Sequence, residues 1–198
     1  MHQPDRLREF VSAIARGVDT IRDEAEMLAY GTSCMVRLLE VDDWLPSECA
    51  QPHPTYYQQH LLYADPLDRF SLVSFVWGPG QKTPIHNHTV WGIIGMLRGA
   101  EIAQPYEKAA DGAMHPVGEP TTLRVGDIEC VSPRIGDIHR VSNAHADQVS
   151  ISIHLYGGNI GKISRSVFDE QTGQAKHFVS GYSNAMAPNL WFNPPTLS

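Results

Sequence analysis

Gly80-Gln81-Lys82-Thr83-Pro84-Ile85-His86-Asn87-His88 is followed by Gly92 and then by Gly99. Two histidines at i and i+2 on an extended segment present their imidazoles to one face, because the pleat repeats every two residues. Neutral imidazoles are good ligands for divalent transition metals. A third imidazole, His139, comes about fifty residues later. Three such ligands occupy one triangular face of an octahedron and leave three positions open, which suits a catalytic rather than a closed structural site.

Outward from this stretch the chain reads as short apolar runs separated by turn residues. Candidate strands run over 58–63, 70–77, 83–88, 92–97, 101–106, 121–125, 128–131, 139–142 and 149–156. Gly78-Pro79-Gly80, Arg98-Gly99, Ala110-Asp111-Gly112 and Gly157-Gly158-Asn159 supply the turns between them. The first third has a different period. Leu7, Phe10, Val11, Ile14, Ala15 and Val18 form one stripe at helical spacing. A second helical stretch is expected over 20–30, and a third around Met35, Val36, Leu38 and Leu39, with Gly31 as the break. The fold class is therefore mainly β, a small barrel or jelly roll with N-terminal helices packed on one side. One domain over 1–198 is expected: a helical part at 1–45, a barrel core at 56–165 and an irregular C-terminal strap at 166–198.

Composition narrows the function classes. The chain has 198 residues, 42% hydrophobic and 19% charged, with a formal charge of −7. That balance disfavours nucleic acid or an anionic membrane as partner. No apolar run approaches the roughly 20 residues that span a bilayer. The beginning of the chain, Met1 to Arg6, has no signal-peptide pattern, so a cytoplasmic location is expected. Cys34, Cys49 and Cys130 are odd in number and irregularly spaced, which reads as buried hydrophobes rather than disulfides.

A second constellation is Ser152-x-His154-x-Tyr156. Strand alternation puts these three polar groups on one face and Ile151, Ile153 and Leu155 on the other. Side by side, they can form a hydrogen-bond chain in which each member orients the next. The same alternation also describes an ordinary surface strand. A Ser-His hydrolase lacks support because no G-x-S-x-G elbow is present.

Gly80, the H-x-H pair, Gly92 and Gly99 resemble the first cupin motif, with Gly92 where the usual glutamate ligand stands. Gly126, Pro133, Gly136, His139 and Asn143 resemble the second, with longer spacers in two places. With Ser152, His154 and Tyr156 added, the stretch 57–165 resembles the cysteine dioxygenase family of cupin thiol dioxygenases. That resemblance implies a non-haem ferrous iron, Fe(2+), on His86, His88 and His139. It also implies that Tyr156 faces a small thiol substrate and O2, oriented by His154 and Ser152, and that the product is a sulfinic acid.

Two departures from the animal enzymes bear on substrate. Their cysteine that crosslinks to the tyrosine corresponds to Gly92, so no such crosslink can form here. Their carboxylate-binding arginine, two residues after a tyrosine, corresponds to Gln59 after Tyr57. A glutamine there, with Arg165 nine residues beyond Tyr156, resembles the bacterial branch acting on 3-mercaptopropionate. The resemblance therefore implies that Gln59, Arg165 and Tyr57 bind substrate, and that 3-mercaptopropionate is favoured over L-cysteine. Trp77 and Trp91 are read as barrel packing. Two rival functions remain in view: a Lewis-acid cupin isomerase or hydrolase, for which zinc would serve equally well, and a non-enzymatic small-molecule sensor.

Overall fold

A computed structural model describes residues 3–191. Two α-helices lead the chain: α1 is Gln3–Thr20 and α2 is Glu24–Leu39. The Glu26 N–H donates to the Asp23 carboxylate at 2.9 Å, so α2 starts on a capped turn, a contribution of about 1 kcal/mol. Gly31 does not break it. α2 runs straight through that residue, and a side chain there would meet Ile93 Cδ1 at 2.5 Å, so the close approach of sheet to helix calls for glycine. Gly31 is a point of close helix–sheet approach, not a terminator.

Among the described residues twelve strands follow: β1 Gln58–Ala64, β2 Ser71–Trp77, β3 Ile85–His86, β4 Gly92–Arg98, β5 Ala100–Lys108, β6 Met114–Pro116, β7 Thr121–Arg124, β8 Ile128–Val131, β9 His139–Asn143, β10 Ser150–Tyr156, β11 Arg165–Phe168 and β12 Ala175–Phe178. One sheet has the order β1-β2-β10-β4-β8. The other runs β12-β11-β3-β9-β5-β6, with β7 paired to the first residues of β5, Ala100 to Ala103. All the pairings are antiparallel. The architecture is a mainly β cupin barrel of two facing sheets with two N-terminal helices.

The five-stranded sheet is covered on both faces. Leu7, Phe10 and Ile14 of α1 and Met35 and Leu38 of α2 pack against Leu72, Val76, Ile93, Ile151, Ile153 and Leu155. Phe75, Trp77, Ile94, Met96 and Tyr156 fill the barrel side with Val141. Every residue of β10 is buried. Ser152, His154 and Tyr156 therefore face the interior between the sheets, and the surface-strand reading of that segment does not hold.

Other boundaries moved. The expected strand at 83–88 shrinks to Ile85–His86, because His88 bends away into a loop. β6 and the β11–β12 hairpin had no strand expectation: β12 is exposed for three of its four residues and has no apolar alternation to betray it. The barrel thus continues past 165, through residues expected to be irregular. Residues beyond the hairpin do behave as a strap. Ser183 N–H donates to the Gln59 carbonyl at 2.8 Å, and Leu61 N–H to Asn184 Oδ1 at 2.7 Å, covering the open edge of β1. The end of the expected strap, 192–198, lies outside the described residues, as do Met1 and His2. Cys34, Cys49 and Cys130 are unpaired, the first two buried. Among the described residues no helix is long and apolar enough to cross a membrane.

Candidate metal centre and its surroundings

His86 and His139 are register partners across β3 and β9, so the two-strand ladder itself sets them side by side. His88 joins them from the loop after β3. The three imidazole centroids are each 4.9 Å from the other two, an equilateral cluster. One ligand nitrogen from each lies within 4.8 Å of the others, and all three side chains are buried. Among the described residues, His53, His60, His115, His145 and His177 are not in the group, and no Asp or Glu joins it.

The donor set fits a divalent metal. His86 Nδ1 lies 3.1 Å from the Pro84 carbonyl and His88 Nδ1 2.8 Å from Asp137 Oδ1. Carbonyl and carboxylate accept the Nδ1 protons, which leaves each Nε2 lone pair free to ligate. Burial, then the neighbouring histidine, pushes His86 well below the usual imidazole range. Burial does the same to His139, so both rings are neutral.

Asp137 was not singled out from sequence, yet it locks this loop. Its carboxylate accepts the His88 backbone N–H at 2.9 and 3.1 Å and the Thr89 N–H at 2.9 Å. Thr89 sits at φ 62, a left-handed conformation that a β-branched residue rarely adopts. The signal available in the sequence was an acid two residues before His139.

The second constellation converges beside the histidines. Ser152 Oγ is 2.8 Å from His154 Nε2, and His154 Nδ1 is 2.8 Å from the Tyr156 hydroxyl. The Tyr156 ring stacks on His88 with centroids 5.5 Å apart, and Phe75 covers His154 at 4.2 Å. Burial holds the Tyr156 hydroxyl above its ordinary range, against the pull of Arg165, so it stays protonated. Burial holds His154 well below its ordinary range, so it carries a single ring proton. Trp77 does more than pack: its indole N–H donates to Ser152 Oγ at 3.3 Å. Gly92 faces Tyr156 directly in the β4–β10 ladder. A side chain at 92 would meet the tyrosine ring at 3.0 Å and Val131 Cγ2 at 3.1 Å. Glycine leaves that flank of the ring open.

Gln59, Arg165 and Tyr57 come together on an adjoining wall. Arg165 is buried, not the solvated strand-end charge its position at the start of β11 suggests. Its Nη2 donates to Ser180 Oγ at 2.7 Å, its guanidinium lies 4.8 Å over the Phe178 ring, and its Nε has no partner. Gln59 Nε2 donates to the same Ser180 hydroxyl at 3.2 Å and to the Gly181 carbonyl at 3.2 Å. Ser180, in a segment expected to be irregular, is thus the link between the two, and nothing in its local sequence announces it. Tyr57 stacks over Phe75 at 5.9 Å and tilts against Trp77 at 4.8 Å. Burial raises the Tyr57 hydroxyl, and Arg165 opposes this, so the phenol lies within reach of the guanidinium's field.

No family model matches the chain. Cysteine dioxygenase type 1 of Danio rerio is 29% identical to it over 110 residues, 53% of this chain and 52% of that protein. The chain therefore spans about half the length of that relative. Among solved structures, an uncharacterized conserved protein with a double-stranded β-helix domain from Klebsiella pneumoniae is 17% identical, with TM-score 0.43, over 68% of this chain and 92% of that one. A cupin superfamily protein from Desulfitobacterium hafniense is 11% identical, with TM-score 0.42, over 55% and 84%. The two-sheet barrel follows from the strand order of this chain. What the chain is similar to in sequence, over about half its length, is a cysteine dioxygenase.

Proposed function

We propose that this chain is a non-haem iron thiol dioxygenase. It would convert a small thiol carboxylate and O2 to the sulfinic acid, with both oxygen atoms ending on sulfur and the thiol hydrogen on the product acid. A ferrous ion on His86, His88 and His139 would supply the redox chemistry that joins dioxygen to sulfur.

The observation that carries this reading is Arg165. It is 4% exposed and, among the described residues, makes no ion pair with a carboxylate, its one side-chain hydrogen bond going to Ser180. A buried cation without an anion is costly, and a substrate carboxylate removes that cost. Arg165 is close enough to lower His86 and His154 and to act on Tyr156. A carboxylate on Arg165 therefore places the rest of a three-carbon thiol toward the histidine cluster. Tyr57 and the Gln59 amide border the same space, Tyr156 offers a neutral hydroxyl, and Phe75 and Trp77 keep water from the back of the site.

Substrate preference follows from charge. Cysteine adds an α-ammonium that needs an acceptor. The side chains joined to Arg165 are the Ser180 hydroxyl and, through it, the Gln59 amide. The Asp137 carboxylate, whose charge reaches Arg165, is already engaged by His88 and Thr89. We therefore assign 3-mercaptopropionate as the better substrate. The test is oxygen uptake by anaerobically iron-loaded protein with 3-mercaptopropionate and L-cysteine side by side. A higher kcat/KM for 3-mercaptopropionate supports the assignment; a higher value for L-cysteine overturns the preference, and uptake with neither overturns the function.

A further inference from the structure

The segment after β12 is fastened to the barrel on two sides. Toward β1, the Ser183 N–H donates to the Gln59 carbonyl, and the Gln59 N–H donates back to Ser183 Oγ, each at 2.8 Å. Toward the loop after β10, the Tyr182 hydroxyl accepts the Gly161 N–H at 3.0 Å and donates to Asn159 Oδ1. A side chain at Gly161 would overlap the Tyr182 ring, so glycine there lets the ring seat.

These anchors hold Ser180 against Arg165 and Gln59. Ser180 is an exposed residue whose hydroxyl meets two buried side chains. Arg165 Nη2 donates to its Oγ at 2.7 Å and Gln59 Nε2 at 3.2 Å, while Oγ donates to the Gly181 carbonyl at 3.2 Å. A hydroxyl has two lone pairs and one hydrogen, and all three are in use. The Gln59 amide is used up as a donor too. Its other hydrogen goes to the Gly181 carbonyl at 3.2 Å, so no N–H of that amide is left for a ligand. Arg165 differs, because its Nε has no partner.

We propose that Ser180 is a positioning residue for the substrate carboxylate: its hydroxyl fixes the Arg165 guanidinium, and Gln59 acts on the substrate through Ser180 rather than by donating to it. The inference rests on Arg165 binding that carboxylate, as proposed above.

The physical reason is preorganisation. An arginine side chain has many rotamers, and ordering it when the ligand arrives subtracts from affinity. Here the order is present beforehand. The Phe178 ring, 4.8 Å from the guanidinium, supports its face, and the bond from Nη2 to Ser180 fixes its rotation in that plane. Gln59 and Gly181 hold the hydroxyl itself in place, so the two amide bonds are spent on the geometry of the arginine.

The test compares a ligand that carries the carboxylate with one that lacks it. 3-Mercaptopropionate and propanethiol are titrated by calorimetry into Zn(2+)-loaded protein, in which the metal oxidises neither. The wild type is expected to bind 3-mercaptopropionate more tightly. Ser180→Ala should weaken that ligand roughly tenfold, the loss of one bond to a charged group, and leave propanethiol unchanged. Ser180→Thr keeps the hydroxyl and should bind both as the wild type does. Gln59→Ala should weaken 3-mercaptopropionate when Ser180 is present and add nothing in Ser180→Ala.

Equal losses for the two ligands would mean general damage to the fold and overturn the assignment. So would undiminished binding of 3-mercaptopropionate by Ser180→Ala, or failure of threonine to restore it. A wild type that binds both ligands equally has no carboxylate contact, which overturns the inference at its root. Additive losses from the two alanine substitutions would give Gln59 a substrate contact of its own and overturn its dependence on Ser180. In iron-loaded protein Ser180→Ala should raise KM and spare kcat, because the carboxylate is held alike before and during the reaction. Carboxylate-selective weakening in a protein that oxidises no thiol would support Ser180 while rejecting the dioxygenase reading.

Discussion

Replacing Asp137 by Asn should weaken metal binding at the histidine cluster without unfolding the barrel. The wild-type carboxylate takes the His88 Nδ1 proton at 2.8 Å and also accepts the backbone N–H groups of His88 and Thr89. Asparagine keeps the shape but loses the charge, and its NH2 turns a donor toward a set of donors. One charge-assisted bond contributes about 1.5–3 kcal/mol. Part of that loss appears as fold stability, because Thr89 is held at positive φ by the same carboxylate. The remainder appears in the ligand: His88 loses the partner that fixes its ring and sharpens its basicity. Outer partners of this kind are worth roughly 10- to 100-fold in metal affinity, or about 1.4–2.8 kcal/mol. The assay is competition for Zn(2+) or Fe(2+) against a chelator, with a thermal melt as control for folding. An affinity within about twofold of wild type, in a variant that melts normally, would refute the idea that Asp137 organises the site.

Tyr156→Phe removes one hydroxyl and keeps the ring against His88, so folding should survive while turnover falls; a single hydrogen bond of about 0.5–1.5 kcal/mol sets a loss of up to about tenfold, and unchanged oxygen uptake would remove Tyr156 from the reaction. Arg165→Ala should lose roughly 10- to 100-fold in kcat/KM for 3-mercaptopropionate, the cost of one charge-assisted bond; equal rates in variant and wild type would dismiss the carboxylate contact. Glu101, buried on β5, also makes a stability prediction. Burial raises its carboxyl to about 8, above the ordinary 4.5, so the unfolded chain releases this proton first as pH rises. Wild-type stability should fall relative to Glu101→Gln between about pH 4.5 and 8, by at most ~1.4 kcal/mol per pH unit, and run parallel to it above 8. Parallel denaturation curves over that whole range would mean that Glu101 is not buried as an acid.

The barrel and its cluster were legible where chemistry follows a short period. Ser152-x-His154-x-Tyr156 obeys strand alternation on β10, and the H-x-H pair could be named from spacing although His88 reaches the cluster from the loop after β3 rather than by alternation. The switch from helical to strand period near residue 56 likewise separated the helices from the sheets. Features set by tertiary contact were not legible. Gly31 reads as a helix stop, yet it is there because Ile93 presses against α2. β12 carries no apolar alternation because its place at the sheet edge asks for none. Asp137 and Ser180 are ordinary polar residues in sequence, and each acquires its significance from a partner on another strand or loop: His88 for the first and the Gln59–Arg165 pair for the second. Arg165 lay at a position the resemblance marked, but its burial without a carboxylate partner is visible only in three dimensions.

The central claim is that this site joins both atoms of one O2 molecule to the sulfur of a small thiol. The direct measurement is mass analysis of the product formed from 3-mercaptopropionate under 18O2 by iron-loaded protein, with His86→Ala as the blank. The account predicts a sulfinic acid carrying two 18O atoms, one O2 consumed per thiol, and no product from the blank. Disulfide as the sole product, or a sulfinate whose oxygen comes from water, would contradict it.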